Sequence, residues 1–153
     1  MSQKEWGNIT WYLFHTLAEK VNSEKFNEIK PTIIYFIQNT CRNLPCPICA
    51  AHAQTFLKNS KIELILTKED LVEFLRQFHN LINTDTGKEI VSKEFVITKY
   101  KTANLLRIIN NFLRIYSHSY GNFEINSFLR ANERRKFVRL AVNQLKYIAK
   151  YCY

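Results

Sequence analysis

Apolar positions recur along this chain three and four residues apart over most of its length, which is the period of a helix buried along one face. That spacing predicts a first helix over residues 8–21, with Trp11, Phe14, His15 and Ala18 on one side. Ser23 is the expected N-cap of a second helix, which runs through Ile33, Ile34 and Phe36 to Arg42. Pro47 suits the first turn of a third helix, where its missing N–H needs no partner, and this makes Cys46 the N-cap. Thr67 followed by Asp70 has the form of a capping arrangement for a fourth helix, through Phe74 and Phe78 to Ile82, ended by NTDTGK at residues 83–88. Two further helices are expected over 95–117 and 126–150, on either side of SHSYGN. In the first of these, Leu105, Leu106, Ile109, Phe112, Leu113 and Tyr116 repeat at helical spacing.

Composition supports an all-α reading, since only three glycines and three prolines interrupt the chain and no sheet-like alternation is visible. At 153 residues the chain can bury a core without covalent staples. No apolar run approaches the roughly 18 residues of a membrane span, and the N-terminal stretch lacks the pattern of a secretory signal. A soluble, intracellular protein is therefore expected. Charge divides the chain sharply: residues 1–98 carry 11 Lys/Arg and 11 Asp/Glu, whereas 99–153 carry 11 Lys/Arg against Glu124 and Glu133 alone. The whole net charge of +9 thus falls in the last third, suggesting an N-terminal unit over 1–98 and a basic helical extension over 99–153.

The concentrated chemistry lies in NLPCPICAAH, residues 43–52. Two cysteines three apart at a helix start can close into a disulfide, and the unpaired N–H groups and dipole there favour thiolate, as redox work requires. Cys41, Cys46, Cys49 and His52 are equally a set of four soft ligands of the kind zinc takes. Spacing alone leaves redox and zinc open. A second polar concentration, His79, Asn80 and Asn83, follows the apolar Phe74, Leu75 and Phe78, and Trp11 and His15 sit one turn apart. Buried amides and imidazoles need partners, which a cofactor rich in donors and acceptors would supply.

Three blocks, WGNITWYLFHTLA from Trp6, LPCPICAAH from Leu44 and FHNLINTDTGK from Phe78, resemble in order and separation the motifs of the Erv/ALR family of FAD-linked sulfhydryl oxidases. The resemblance covers residues 5–93 and implies a bundle of four to five helices binding FAD. It makes Cys46 and Cys49 the redox pair: a substrate thiolate attacks Cys46, and electrons leave through Cys49 to FAD and then to oxygen, yielding hydrogen peroxide. The cofactor contacts it implies are Trp6, Gly7, Trp11, His15, Cys49, His52, His79, Asn80, Asn83 and Lys88, with Tyr12 and Phe56 as weaker ones. It also implies protein thiol substrates, a thioredoxin-like or other redox partner, and a homodimer.

The chain departs from cellular members at Arg76 and near Lys93, where many carry a second structural cysteine pair. With its Lys-, Ile- and Asn-rich composition it looks more like the versions of large cytoplasmic DNA viruses, placing it in host cytoplasm or virion; a cellular member would sit in the mitochondrial intermembrane space. Cys41 and Cys152 are expected unpaired. The basic group Arg130, Arg134, Arg135, Lys136 and Arg139 reads first as a solvated face and next as a dock for acidic partners. The competing function is a zinc-stabilised nucleic-acid-binding module, which leaves the His79–Asn83 cluster without a role.

Overall fold

The computed structural model describes residues 3–118 and 125–153, with side chains from residue 4 to 118 and from 131 onward. Among them the chain is all-α, with helices α1 (Gln3–Lys20), α2 (Phe26–Arg42), α3 (Pro47–Asn59), α4 (Lys68–Asp85), α5 (Lys93–Lys101), α6 (Leu105–Ser117) and α7 (Ile125–Ala149). Short 3-10 turns, Ser23–Lys25 and Ile62–Leu64, join α1 to α2 and α3 to α4.

The architecture turns on α1. It packs against α4, α5 and α6, while α2 packs against α3 and α7, and α6 joins α7. Surrounded in this way, α1 buries Trp6, Ile9, Leu13, Phe14, Leu17 and Ala18 together with the polar Thr10, His15 and Thr16. The two threonines are satisfied: Thr10 Oγ1 donates to the Trp6 carbonyl at 2.6 Å and meets Tyr116 Oη at 2.5 Å, and Thr16 Oγ1 donates to the Tyr12 carbonyl at 2.6 Å.

Local signals account for most helix ends. Thr67 and Asp70 form the reciprocal capping box that opens α4. Cys46 caps α3 with Pro47 in its first turn. Ser23 does not cap α2: the Asn22 side chain accepts from the Glu24 N–H instead, starting a 3-10 turn that leads into the helix. α4 continues past Ile82 to Asp85, with the buried Asn83 side chain donating to the Glu89 carbonyl, and the turn comes at Gly87, whose φ of 72° suits a residue without a Cβ. The single helix expected over 95–117 is two. Asn104 accepts from the Arg107 N–H at 3.0 Å and caps α6, so the chain breaks at residues 102–104. α6 ends at Ser117, and most of the expected SHSYGN break falls outside the described residues, as does the side chain of Arg130.

The expected boundary near residue 98 falls inside α5, and one apolar core runs through both stretches. Phe36 of α2 meets Phe112 of α6 at 5.8 Å between ring centroids, and Phe112 stacks on Tyr116 at 4.3 Å. Phe137, Ala141, Leu145 and Ile148 bring the inner face of α7 to the same core. Beyond α7 the tail returns to the end of α1: Asn22 N–H donates to the Tyr151 carbonyl at 2.6 Å, Tyr153 N–H to the Lys20 carbonyl at 3.0 Å, and Val21 pairs with Cys152 in an isolated β-bridge.

A shared core has a measurable signature. Phe112→Ala should lower stability by about 3–5 kcal/mol, as should Phe36→Ala, within one cooperative urea transition. Two transitions, with Phe112→Ala moving just one of them, would show that α6 and α7 unfold separately from the rest.

Candidate functional site

The start of α3 presents the two cysteines. Cys46, in an extended conformation, accepts from the Cys49 N–H through its sulfur at 3.2 Å, and its carbonyl accepts from the Ala50 N–H at 2.9 Å. Their Cα atoms are 5.2 Å apart, within disulfide range, and the sulfurs are joined. Both residues are half-buried, and Ile48 between them is 71% exposed. The positive end of the α3 dipole lies at this pair and stabilises a thiolate formed there.

Behind the disulfide is a cavity of about 370 Å³. Cys49 lines it, as do Trp6, Gly7, Trp11, His52, His79, Asn83 and Lys88 from the sequence-derived set. Trp11 and His79 are stacked face to face, 4.2 Å between ring centroids and 7° from parallel, and this aromatic pair forms part of the cavity wall. Gly7 borders open space, since a Cβ there would meet nothing within 4 Å. His15 is outside the wall: it sits behind it, fully buried, stacked on Tyr100 at 4.7 Å, with its Nε2 3.0 Å from His79 Nδ1. Its Nδ1 is buried without a hydrogen-bond partner.

Burial, with positive Lys99 nearby, holds both imidazoles neutral. Desolvation is the largest cause for each; His15 is lowered to about 3 with help from His79 and Lys99, and His79 to about 4 with help from Lys99 and Lys88. One imidazole N–H therefore bridges the pair, and a cation on either ring would be opposed by the other charges.

Asn80 also lies outside the wall. Its amide is spent on the Val91 backbone, donating to the carbonyl at 3.0 Å and accepting from the N–H at 2.8 Å. Tyr12 sits edge-on to Tyr100, and Phe56 stacks on Phe78 at 4.2 Å, supporting a wall residue instead of lining the cavity. Cys41 lines the cavity as a free thiol that burial pushes up to about 12, leaving it protonated at neutral pH. Cys152 is likewise free. The zinc tetrad is not assembled: the Cys46 and Cys49 sulfurs are bonded to each other, and no group of three or more His, Cys, Asp or Glu among the described residues is placed to hold a metal.

Lys4, Leu44, Ala53, Phe78 and Ile82 also line the cavity without having been singled out in the sequence. Periodicity carries the signal for most of them. Lys4 precedes Gly7 and Trp11 on one helical face, Ala53 lies one turn after Cys49, and Phe78 and Ile82 run beside His79 and Asn83. Lys4 escaped because α1 begins earlier than its apolar spacing indicates. A disulfide at its edge and a stacked aromatic pair suit a ligand with planar rings, Lys4 and Lys88 beside Asp85 and Glu89 give the lining charged groups of both signs, and the cavity is of cofactor size.

A model described as the Erv1 / Alr family matches residues 8–103. The putative FAD-linked sulfhydryl oxidase 096R of Invertebrate iridescent virus 3 is 26% identical over 99 residues, covering 64% of this chain and 67% of that protein. The FAD-linked sulfhydryl oxidase ERV1 of Oryza sativa subsp. japonica is 27% identical over 90 residues, and the match spans 59% of this chain but 46% of the rice protein. The FAD-linked sulfhydryl oxidase of African swine fever virus (isolate Pig/Kenya/KEN-50/1950) is 30% identical over 87 residues, covering 57% of this chain and 72% of that one. No solved structure matches.

The neutral imidazoles make folding pH-dependent. An unfolded histidine titrates near 6.5 but the folded His15 and His79 near 3 and 4, so the unfolded chain takes up protons first. Stability should be full above pH 6.5 and fall as pH drops towards 4, by roughly a few kcal/mol in all. Urea midpoints between pH 7 and 5 should show the fall, with a flatter profile for His15→Asn although that variant is less stable at pH 7. Parallel profiles would assign the dependence to other groups.

Proposed function

The chain belongs to the Erv1 / Alr family, and we propose that it is an FAD-linked sulfhydryl oxidase that forms disulfides in protein substrates with Cys46 and Cys49 as its redox pair. The observation that carries this reading is the Cys46–Cys49 disulfide at the start of α3, with Cys49 in the wall of the cavity that Trp11 and His79 face. FAD fits the donor set: Trp11 and His79 would stack on its rings, Lys4 and Lys88 would meet its diphosphate, and Trp6, Gly7, His52 and Asn83 would complete the cradle.

The thiol chemistry follows from the two sulfurs. A substrate thiolate attacks Cys46 Sγ, breaking its bond to Cys49 and forming a mixed disulfide; Cys49 leaves as a thiolate at the positive end of α3. A second substrate thiolate attacks the substrate sulfur of the mixed disulfide, so the substrate gains its disulfide and Cys46 leaves as a thiolate. The substrate has then lost two electrons and the protein pair has gained them, as a dithiol once protonated. FAD, when bound, supplies the two-electron acceptor that restores the pair, with oxygen as the final acceptor and hydrogen peroxide as its product. Cys46 is partly exposed, and Ile48 between the cysteines projects into solvent.

The proposed redox and cofactor residues all lie within 1–98; residues 99–153 complete the core and expose Arg135, Lys136 and Arg139, with Arg134 partly buried and donating to the His118 carbonyl, and this basic surface suits an acidic protein substrate or a thioredoxin-like partner. Exposed Leu106, Leu140 and Tyr147 on α6 and α7 support a homodimer through those helices. Likeness to viral proteins supports a place in host cytoplasm or virion. No helix among the described residues is long and apolar enough to cross a membrane.

Purified protein should be yellow, with about one flavin per chain. Cys49→Ser should keep the flavin and lose dithiol-driven oxygen consumption, because no disulfide remains to be attacked. A colourless wild-type protein, or a Cys49→Ser variant that still turns over, would overturn the reading.

A further inference from the structure

Residues 84–90, which connect α4 to the chain before α5, are all exposed, and Val91 alone in this connection packs against the core. Apolar burial therefore does little to fix where this segment lies. It is held instead by side chains in one row of α4, Arg76, Asn80 and Asn83, spaced at about one turn. Asn80 grips the Val91 peptide from both sides, at 3.0 and 2.8 Å. Arg76 adds a longer bond to the Val91 carbonyl at 3.4 Å and is itself fixed by two bonds to the Glu73 carboxylate, at 2.9 and 2.6 Å. Asn83 Nδ2 donates to the Glu89 carbonyl at 3.0 Å, while its own carbonyl accepts from the Lys88 N–H at 2.7 Å. Between these fixed points lie Lys88 and Glu89, both in the cavity wall.

We propose that the segment 86–91 is a strap over the cofactor cavity, and that Arg76 and Asn80 are positioning residues which, with Asn83 at the cavity wall, set Lys88 against an anionic ligand there. Asn80 acts on the ligand through Lys88, without touching it. The inference rests on the FAD reading for the identity of the ligand, but the strap itself is a property of the protein alone. A neutral amide suits the task because it offers a donor to the carbonyl and an acceptor to the N–H of one residue, Val91, at once.

The test is a double-mutant cycle read as the affinity of the full-length protein for FAD, with amide hydrogen exchange at Lys88 and Val91 measured on the flavin-free protein. Asn80→Leu should weaken FAD binding roughly tenfold, through two lost hydrogen bonds, and should speed exchange at Val91. Lys88→Ala should weaken binding without altering that exchange. The double variant should bind as Lys88→Ala does, since Asn80 has no other route to the ligand. Additive losses, or unchanged affinity in Asn80→Leu, would overturn the proposal. If Asn80→Leu does not fold, Asn80→Asp keeps the acceptor for the Val91 N–H and loses the donor, and should give a smaller shift in both readouts; no shift would overturn the proposal. A wild-type protein that binds no FAD would defeat the functional reading, and exchange at Val91 unchanged by substitution of Asn80 would defeat the strap independently.

Discussion

Everything in this fold leans on a helix with almost no outside. α1 is enclosed by α4, α5 and α6, so its residues face apolar packing or a specified polar partner nearly all the way round. Such a helix cannot rotate or slide without exposing Leu13, Leu17 or Phe14 and orphaning Thr10 from Tyr116. Its fixed register is what allows Trp11 to lie flat on His79 from a different helix. The aromatic wall of the cavity is thus a by-product of core packing, and the precision of the site is inherited from the core.

Much of this was legible in the sequence because short-range physics decided it. The capping box at Thr67 and Asp70, the proline after Cys46 and the C-x-x-C spacing act over a few residues, and the structure shows each local feature where those residues stand. The misjudged features depend on what approaches from far along the chain. The start of α1 was placed late because Lys4 and Glu5 carry no apolar signal, and the break at Asn104 was hidden by apolar spacing that continues across it. Asn80 and Asn83 look alike as letters. Only the return path of residues 88–91 separates an amide that grips backbone outside the wall from one that also lines the cavity. The division at residue 98 came from charge, which reports a helix's outer face; the apolar repeat through Leu105, Ile109, Phe112 and Tyr116 points to packing, and α6 and α7 carry Phe112, Tyr116, Phe137 and Leu145 into the common core.

The site combines two opposite electrostatic settings. At the start of α3, open N–H groups and the helix dipole favour negative charge on sulfur. Across the cavity, burial and nearby lysines disfavour positive charge on His15 and His79. Both settings suit electron-rich occupants, and both are produced by where helices begin and how deeply they are covered, without an ionised acid or base inside the core. Cys41 stands near the same space, but desolvation keeps it a thiol and hence a poor competitor for exchange with the neighbouring pair.

The return of residues 151–153 to the end of α1 also bears on synthesis. A ribosome delivers α1 first, yet α1 gains its cover from α6 and its terminal pairing from residues more than a hundred positions later. While the chain is still emerging, the helix that organises the site has one side bare and no settled register. Wall residues already made must wait for α6 and α7 before they share one geometry, so the cavity takes its final shape after those helices have cleared the exit tunnel.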